Sequence, residues 1–146
     1  MLSLPLLLPS LCLAQRDKIA VKPIDPVMVK RGASVVQSID VVVLPGLHVN
    51  SDKPRDENII PLRLSWETGA LEAKSISYPK PEEIKVGSQD LLVFTGTFAI
   101  KTSFQVPQNA PVGATTISGK IRYQACSSDM CFRPSSIDVK IPVVIE

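Results

Sequence analysis

The chain is expected to fold as an all-β, immunoglobulin-like antiparallel β-sandwich. Three observations predict this. Seven strand-like runs rich in Val, Ile and Thr follow one another at short spacing, which is the pattern of a sandwich. The segments between them hold many turn formers, with 13 Pro in 146 residues, and Pro pre-sets the backbone for turns. No run carries a convincing helical period, and aromatics make up only 5% of the chain. The length suits one domain with a real core. The net charge of +2 is spread over interspersed acids and bases. A nucleic-acid footprint would need Lys and Arg clustered on one face, so that function class is set aside.

Met1 to Ala14 is apolar and uncharged. It is too short to span a bilayer and reads as the hydrophobic part of a secretory signal, cleaved after Ala14. Cys12 and Ala14 are the small residues at the cleavage site. The usual positive n-region is missing, so a truncated or misassigned start is one expectation for this segment. Leu11 before Cys12 is not the small residue that a lipoprotein site wants. Cleavage removes Cys12 and leaves one pair of cysteines, as an oxidising compartment would show. Residues 15–146 are then the folded domain. No second apolar stretch is long enough to cross a membrane, so the mature chain is expected to be soluble or the soluble part of a larger protein.

Gln15 to Gly32 mixes charges with Pro23 and Pro26 and is expected to be an extended lead-in, with a short edge strand at Ile19 to Lys22. Ser34 to Leu44 is a strong strand. The apolar run at its end predicts burial on both faces. Pro45-Gly46 signals a turn. Leu47-His48-Val49-Asn50-Ser51-Asp52-Lys53-Pro54 follows and holds the only histidine. Ile59 to Glu67 alternates, with Ile60, Leu62, Leu64 and Trp66 inward and Arg63, Ser65 and Glu67 outward, as a half-exposed antiparallel strand does. Trp66 is assigned to the core. Leu71 to Tyr78 is a short strand ended by Pro79 and Pro81. Pro79 to Asp90 is polar and turn-rich. Leu91 to Val106 is the next strand, containing Val93-Phe94-Thr95-Gly96-Thr97-Phe98. Asn109 to Gly113 makes a turn, and Thr115 to Gln124 and Ile137 to Ile145 are the last two strands.

Between those last strands lies Tyr123-Gln124-Ala125-Cys126-Ser127-Ser128-Asp129-Met130-Cys131-Phe132-Arg133-Pro134. Two strands joined by a short polar loop make a hairpin. Opposed residues at its base bring Cβ atoms within disulfide range. A bond closing so short a loop contributes roughly 2 kcal/mol, near the low end for disulfides. It is poorly placed as a staple and well placed as a reversible redox pair. Spacing alone leaves a small structural disulfide open, and C-x4-C is not a CxxC motif.

Tyr-Gln-Ala-Cys, a Ser/Asp loop, then Cys-Phe-Arg-Pro resembles the active-site hairpin of the N-terminal periplasmic domain of the DsbD thiol:disulfide interchange family. The Gly46-to-Pro54 segment resembles the family's Gly-x-His-x-Asn-Ser-x-x-Pro segment. The resemblance runs from about Pro45 to the end of the chain. It implies a thiol:disulfide oxidoreductase domain of the protein-disulfide reductase type, with Cys131 as nucleophile, Cys126 as resolving cysteine, and Tyr123, Gln124, Phe132 and Pro134 framing the site. It implies a thioredoxin-like donor domain fed through a membrane electron-transfer domain, neither of them in this chain. The implied acceptors are periplasmic disulfide isomerases or the thioredoxin-like proteins of cytochrome c maturation. By position Phe94, just before Thr95-Gly96, matches the family's aromatic lid over the disulfide; the competing reading makes Phe94 and Phe98 core residues. His48 as a general base could hold a cysteine as thiolate. The favoured reading is a strand-end histidine that packs or meets solvent, because many redox cysteines need none. Asp129 sets a negative charge beside the pair and disfavours a thiolate.

Two other classes stand beside exchange. One is an exported immunoglobulin-like binding module with a purely structural hairpin disulfide. The other is soft-metal binding by Cys126, Cys131, Met130 and His48, ligands suited to Cu(I) but too sparse for a closed zinc site. No cofactor, no metal and a monomer are the expectations.

Overall fold

In the computed structural model the described residues, 17–146, form twelve strands and no helix. In chain order these are β1 (Ile19–Val21), β2 (Val27–Val29), β3 (Ser34–Val43), β4 (His48–Asn50), β5 (Arg63–Trp66) and β6 (Glu72–Ser77). There follow β7 (Glu82–Val86), β8 (Gln89–Phe94), β9 (Thr97–Gln105), β10 (Gly113–Tyr123), β11 (Ala125–Cys126) and β12 (Ser135–Ile145). The signal-like segment 1–14 lies outside the described residues.

The strands form three four-stranded sheets, ordered β1-β3-β9-β6, β2-β12-β10-β5 and β11-β4-β8-β7. Every pairing is antiparallel except β2 with β12. The first two sheets make an immunoglobulin-like β-sandwich. Their inner faces share one core, with Ile39, Val41, Ile100 and Phe104 from one sheet and Ile117, Ile121, Val139 and Ile141 from the other. The cause is alternation. In β12 Val139, Ile141, Val143 and Ile145 are all buried while Asp138 and Lys140 are exposed, since successive side chains of a strand point to opposite faces. The two sheets also touch through Trp66, whose ring meets Phe104 edge-on at 5.2 Å and whose Nε1–H donates to Thr102 Oγ1 at 3.0 Å.

The third sheet stands at one end of the sandwich. Chain leaves β3 for β4 there, β8 passes to β9 there, and β10 leaves its ladder with β12 at the Tyr123–Ser135 pair. This sheet carries the cysteines.

Several expectations need correction. Leu91 to Val106 is two strands in different sheets. Gly96, at φ +60°, turns the chain between them, a conformation open to glycine at little cost. The polar stretch Pro79 to Asp90 contains β7. Its hairpin to β8 turns on Gly87-Ser88, with Gly87 at φ +64° and Val86 opposite Gln89. This Gly-x two-residue turn was a readable hairpin signal. The lead-in contains a second strand, β2, which pairs in parallel with Val143–Ile145. At the end of β3, Val41 and Val43 are buried but Val42 is only half-buried, so burial there is one-sided.

Candidate functional site

After Tyr123 the chain leaves β12 and takes a new partner. Asn50 N donates to Gln124 O at 3.4 Å, and Ala125 and Cys126 then lie opposite Val49 and His48. Ser127 shapes the turn that follows. Its backbone N donates to Met130 O at 2.7 Å, and its Oγ accepts from the backbone N of Asp129 (3.2 Å) and Met130 (3.1 Å). Phe132 N donates to Ala125 O at 2.9 Å and closes the hairpin. Cys126 and Cys131 are therefore direct cross-strand partners and are bonded, with S–S 2.08 Å and Cα–Cα 3.9 Å. The pair lies between the last two long strands in chain order. It belongs, however, to a small hairpin on the third sheet, not to the β10–β12 ladder itself.

The two sulfurs sit in unlike surroundings. Cys126 is 3% exposed, whereas Cys131 is exposed. A surface cleft beside Cys131 is lined by Lys18, Tyr123, Met130, Phe132, Arg133 and Pro134. Gln124 Nε2 donates to Phe132 O at 3.1 Å and fixes the strand that bears the cleft. Tyr123 is buried, and its hydroxyl accepts from Lys18 N at 3.2 Å. Lys18 Nζ stands 4.6 Å from the centre of the Phe132 ring, within cation–π range. Of the residues expected to frame the site, Tyr123, Phe132 and Pro134 line the cleft and Gln124 supports it. Lys18 was not anticipated. It lies 105 residues from Tyr123, and nothing local in its charged segment signals the contact.

His48 is brought to the pair on the sheet. It is buried, 7% exposed, and lies directly opposite Cys126. Among the described residues its Nε2 has no hydrogen-bond partner. Burial holds the imidazole below the ordinary value of 6.5, because removal from water disfavours the charged form.

Phe94 is not where a lid belongs. It pairs with Val49, which in turn lies opposite Ala125. Directly opposed residues share a face and neighbours along a strand do not. Phe94, Val49 and Ala125 therefore face the main core, and Cys126 and His48 the other side. Phe94 is 3% exposed and stacks on Phe98 at 4.6 Å, within the same cluster as Val49 and Ala125. Among the described residues, no group of three or more His, Cys, Asp or Glu side chains gathers in a way that could hold a metal ion.

The family model for the N-terminal domain of the thiol:disulfide interchange protein DsbD matches residues 17–142. The chain belongs to this family. Its fold is similar to that of the N-terminal periplasmic domain of ScsB from Proteus mirabilis. That likeness has a TM-score of 0.57 at 12% identity over 78% of this chain and 42% of the other. The chain thus spans less than half the length of that ScsB structure. The reduced DsbD N-terminal domain of Neisseria meningitidis aligns at 14% identity and a TM-score of 0.48, over 71% of this chain and 74% of that one. No curated protein matches the chain in sequence. Family membership and the bonded cysteine pair together support thiol–disulfide exchange as the general chemistry. No helix among the described residues is long and apolar enough to cross a membrane.

Proposed function

We propose that this domain relays electrons in the periplasm as a thiol:disulfide oxidoreductase of the protein-disulfide reductase type, with Cys131 as the exchanging sulfur and Cys126 as the resolving one. The observation that carries the reading is the asymmetry of the pair, Cys131 exposed beside a cleft and Cys126 buried. A partner thiolate must approach in line with the bond it breaks, and only one sulfur is open to it.

The steps balance as follows. A donor thiolate attacks Cys131 Sγ, the Cys126–Cys131 bond breaks, and Cys126 leaves as a thiolate and takes a proton. The donor's second thiolate then attacks its own sulfur in the mixed disulfide, freeing Cys131. Two electrons now reside on the pair and the donor is oxidised. In the outgoing direction the Cys131 thiolate attacks the acceptor's disulfide. Cys126 then attacks Cys131 Sγ, and the acceptor leaves as a dithiol.

Phe132 and Pro134 give the partner an apolar rim, over Tyr123 and Gln124 beneath. The donor is a thioredoxin-like domain supplied through a membrane electron-transfer domain. The acceptors are periplasmic disulfide isomerases or thioredoxin-like proteins of cytochrome c maturation, and the domain works as a monomer.

Trapping tests the assignment of roles. Cys126→Ala should accumulate a mixed disulfide with a thioredoxin-like protein through Cys131, and Cys131→Ala should accumulate much less. Equal trapping would reject the roles. No trapping by either variant would favour a binding module whose hairpin bond is only structural.

A further inference from the structure

The face of the third sheet turned away from the main core holds an imidazole and a sulfur side by side. Cys126 and His48 are directly opposed on β11 and β4, which places their Cβ atoms about 5 Å apart. Both side chains are more than nine-tenths buried. The rest of that face is accounted for. Asn50 Nδ2 donates to Ile60 O at 3.1 Å, and Thr95 Oγ1 donates to the Glu82 carboxylate at 3.0 Å. Val93, opposite both Asn50 and Glu82, is apolar. Among the buried side-chain polar atoms of the described residues, His48 Nε2 is the one left without a partner. A buried polar atom without a partner costs free energy and calls for an explanation. In the disulfide state the bonded Cys126 sulfur carries no proton to donate to that atom, whereas the reduced Cys126 thiol does.

We infer that His48 accepts the proton of the Cys126 thiol when the mixed disulfide on Cys131 is resolved. This inference rests on the exchange reading above. In the outgoing direction the Cys126 S–H proton passes to the imidazole, and the Cys126 thiolate attacks Cys131 Sγ. The Cys131–partner S–S bond breaks, and the partner leaves as a thiolate that takes a proton from water. The imidazolium then returns its proton to solvent. No electron acceptor beyond the partner is needed. The step needs a base, because a thiol buried among apolar groups gives up its proton reluctantly.

The charges around His48 suit it to the task. The titratable groups on that face are Cys126 on β11, its cross-strand partner Cys131 and Glu82 on β7, and the segment after β4 adds buried Asp52, whose backbone carbonyl accepts from Arg63 Nη1 at 3.0 Å. Glu82 sits at the exposed sheet edge with its carboxylate on Thr95. Burial is the cause of the lowered His48 value. The imidazole is therefore neutral, and able to accept, at and below pH 6.5 until its depressed value is reached.

The test reads the two sulfurs separately. The reduced domain reacts with 5,5′-dithiobis(2-nitrobenzoate), whose first coloured thiolate reports attack by Cys131 and whose second reports resolution by Cys126. His48→Gln should leave the first release within about twofold of wild type and slow the second about a hundredfold at pH 7, the scale of general-base catalysis. The slowed step should recover with rising hydroxide across pH 7 to 9. A second release with unchanged rate and pH profile would overturn the inference. In wild type the resolution rate should fall on acidification with the midpoint of the His48 ring, followed by its proton resonances. That measurement needs no folded variant, and a midpoint in the ordinary thiol range would also overturn it. If wild type itself releases no second thiolate, the exchange reading fails instead, which separates the two outcomes.

Discussion

Phe94, His48 and Gly119 each turn on which neighbour their strand register supplies. Phe94 is a core residue, because Val49 and Ala125 carry it to the face away from Cys126. Phe94→Ala should therefore cost about 3–5 kcal/mol, as emptied aromatic core sites do, measured by urea unfolding. The rate of reduction by dithiothreitol should stay within about twofold. Faster reduction with unchanged stability would restore the lid. His48 is the only histidine, so its titration can be isolated above the carboxylate range. Its folded value is depressed by burial, so the unfolded chain binds the proton first. Stability is fully present above pH 6.5, falls as the pH drops through 6.5 towards the depressed value, and levels off below it. His48→Gln should flatten that slope below pH 6.5. At Gly119, an added Cβ would stand 2.6 Å from both Ser65 O and the Trp66 ring. Gly119→Ala should destabilise by about 1–3 kcal/mol through overpacking and leave exchange unaffected.

At the scale of elements, the cysteine hairpin is held by backbone bonds and by β4 as much as by its disulfide. Reduction should thus cost about 2 kcal/mol, a fall in Tm of about 10 °C or less. The β-rich circular dichroism spectrum should persist, and loss of cooperative unfolding on reduction would contradict this. The elements that local pattern did not reveal share a physical cause. β2 is three residues between prolines and charges, and it exists only because β12 offers an edge for parallel pairing. β7 carries Glu82, Glu83 and Lys85 on its exposed positions. Such charges read as loop in sequence and act in the fold as protection of a sheet edge. The break at Thr95-Gly96 was hidden because both flanking strands are apolar, so the run looks continuous until Gly96 turns it into another sheet.

At the scale of the molecule, the sandwich was legible because period-2 alternation in β10 and β12 reports directly which face is buried. The cysteine pair was legible because its partners are neighbours in sequence as well as in space. The Lys18–Phe132 contact and the His48–Cys126 pairing depend on which strands meet across the chain, and no local pattern encodes that. A third sheet set at the end of a rigid sandwich leaves Cys131 outermost and Cys126 beneath it. The measurement that tests the resulting claim most directly is the reduction potential of the Cys126–Cys131 bond, by equilibration with glutathione. An exchanging pair should lie above about −300 mV, whereas a value below about −300 mV belongs to a structural disulfide and would contradict an exchange role.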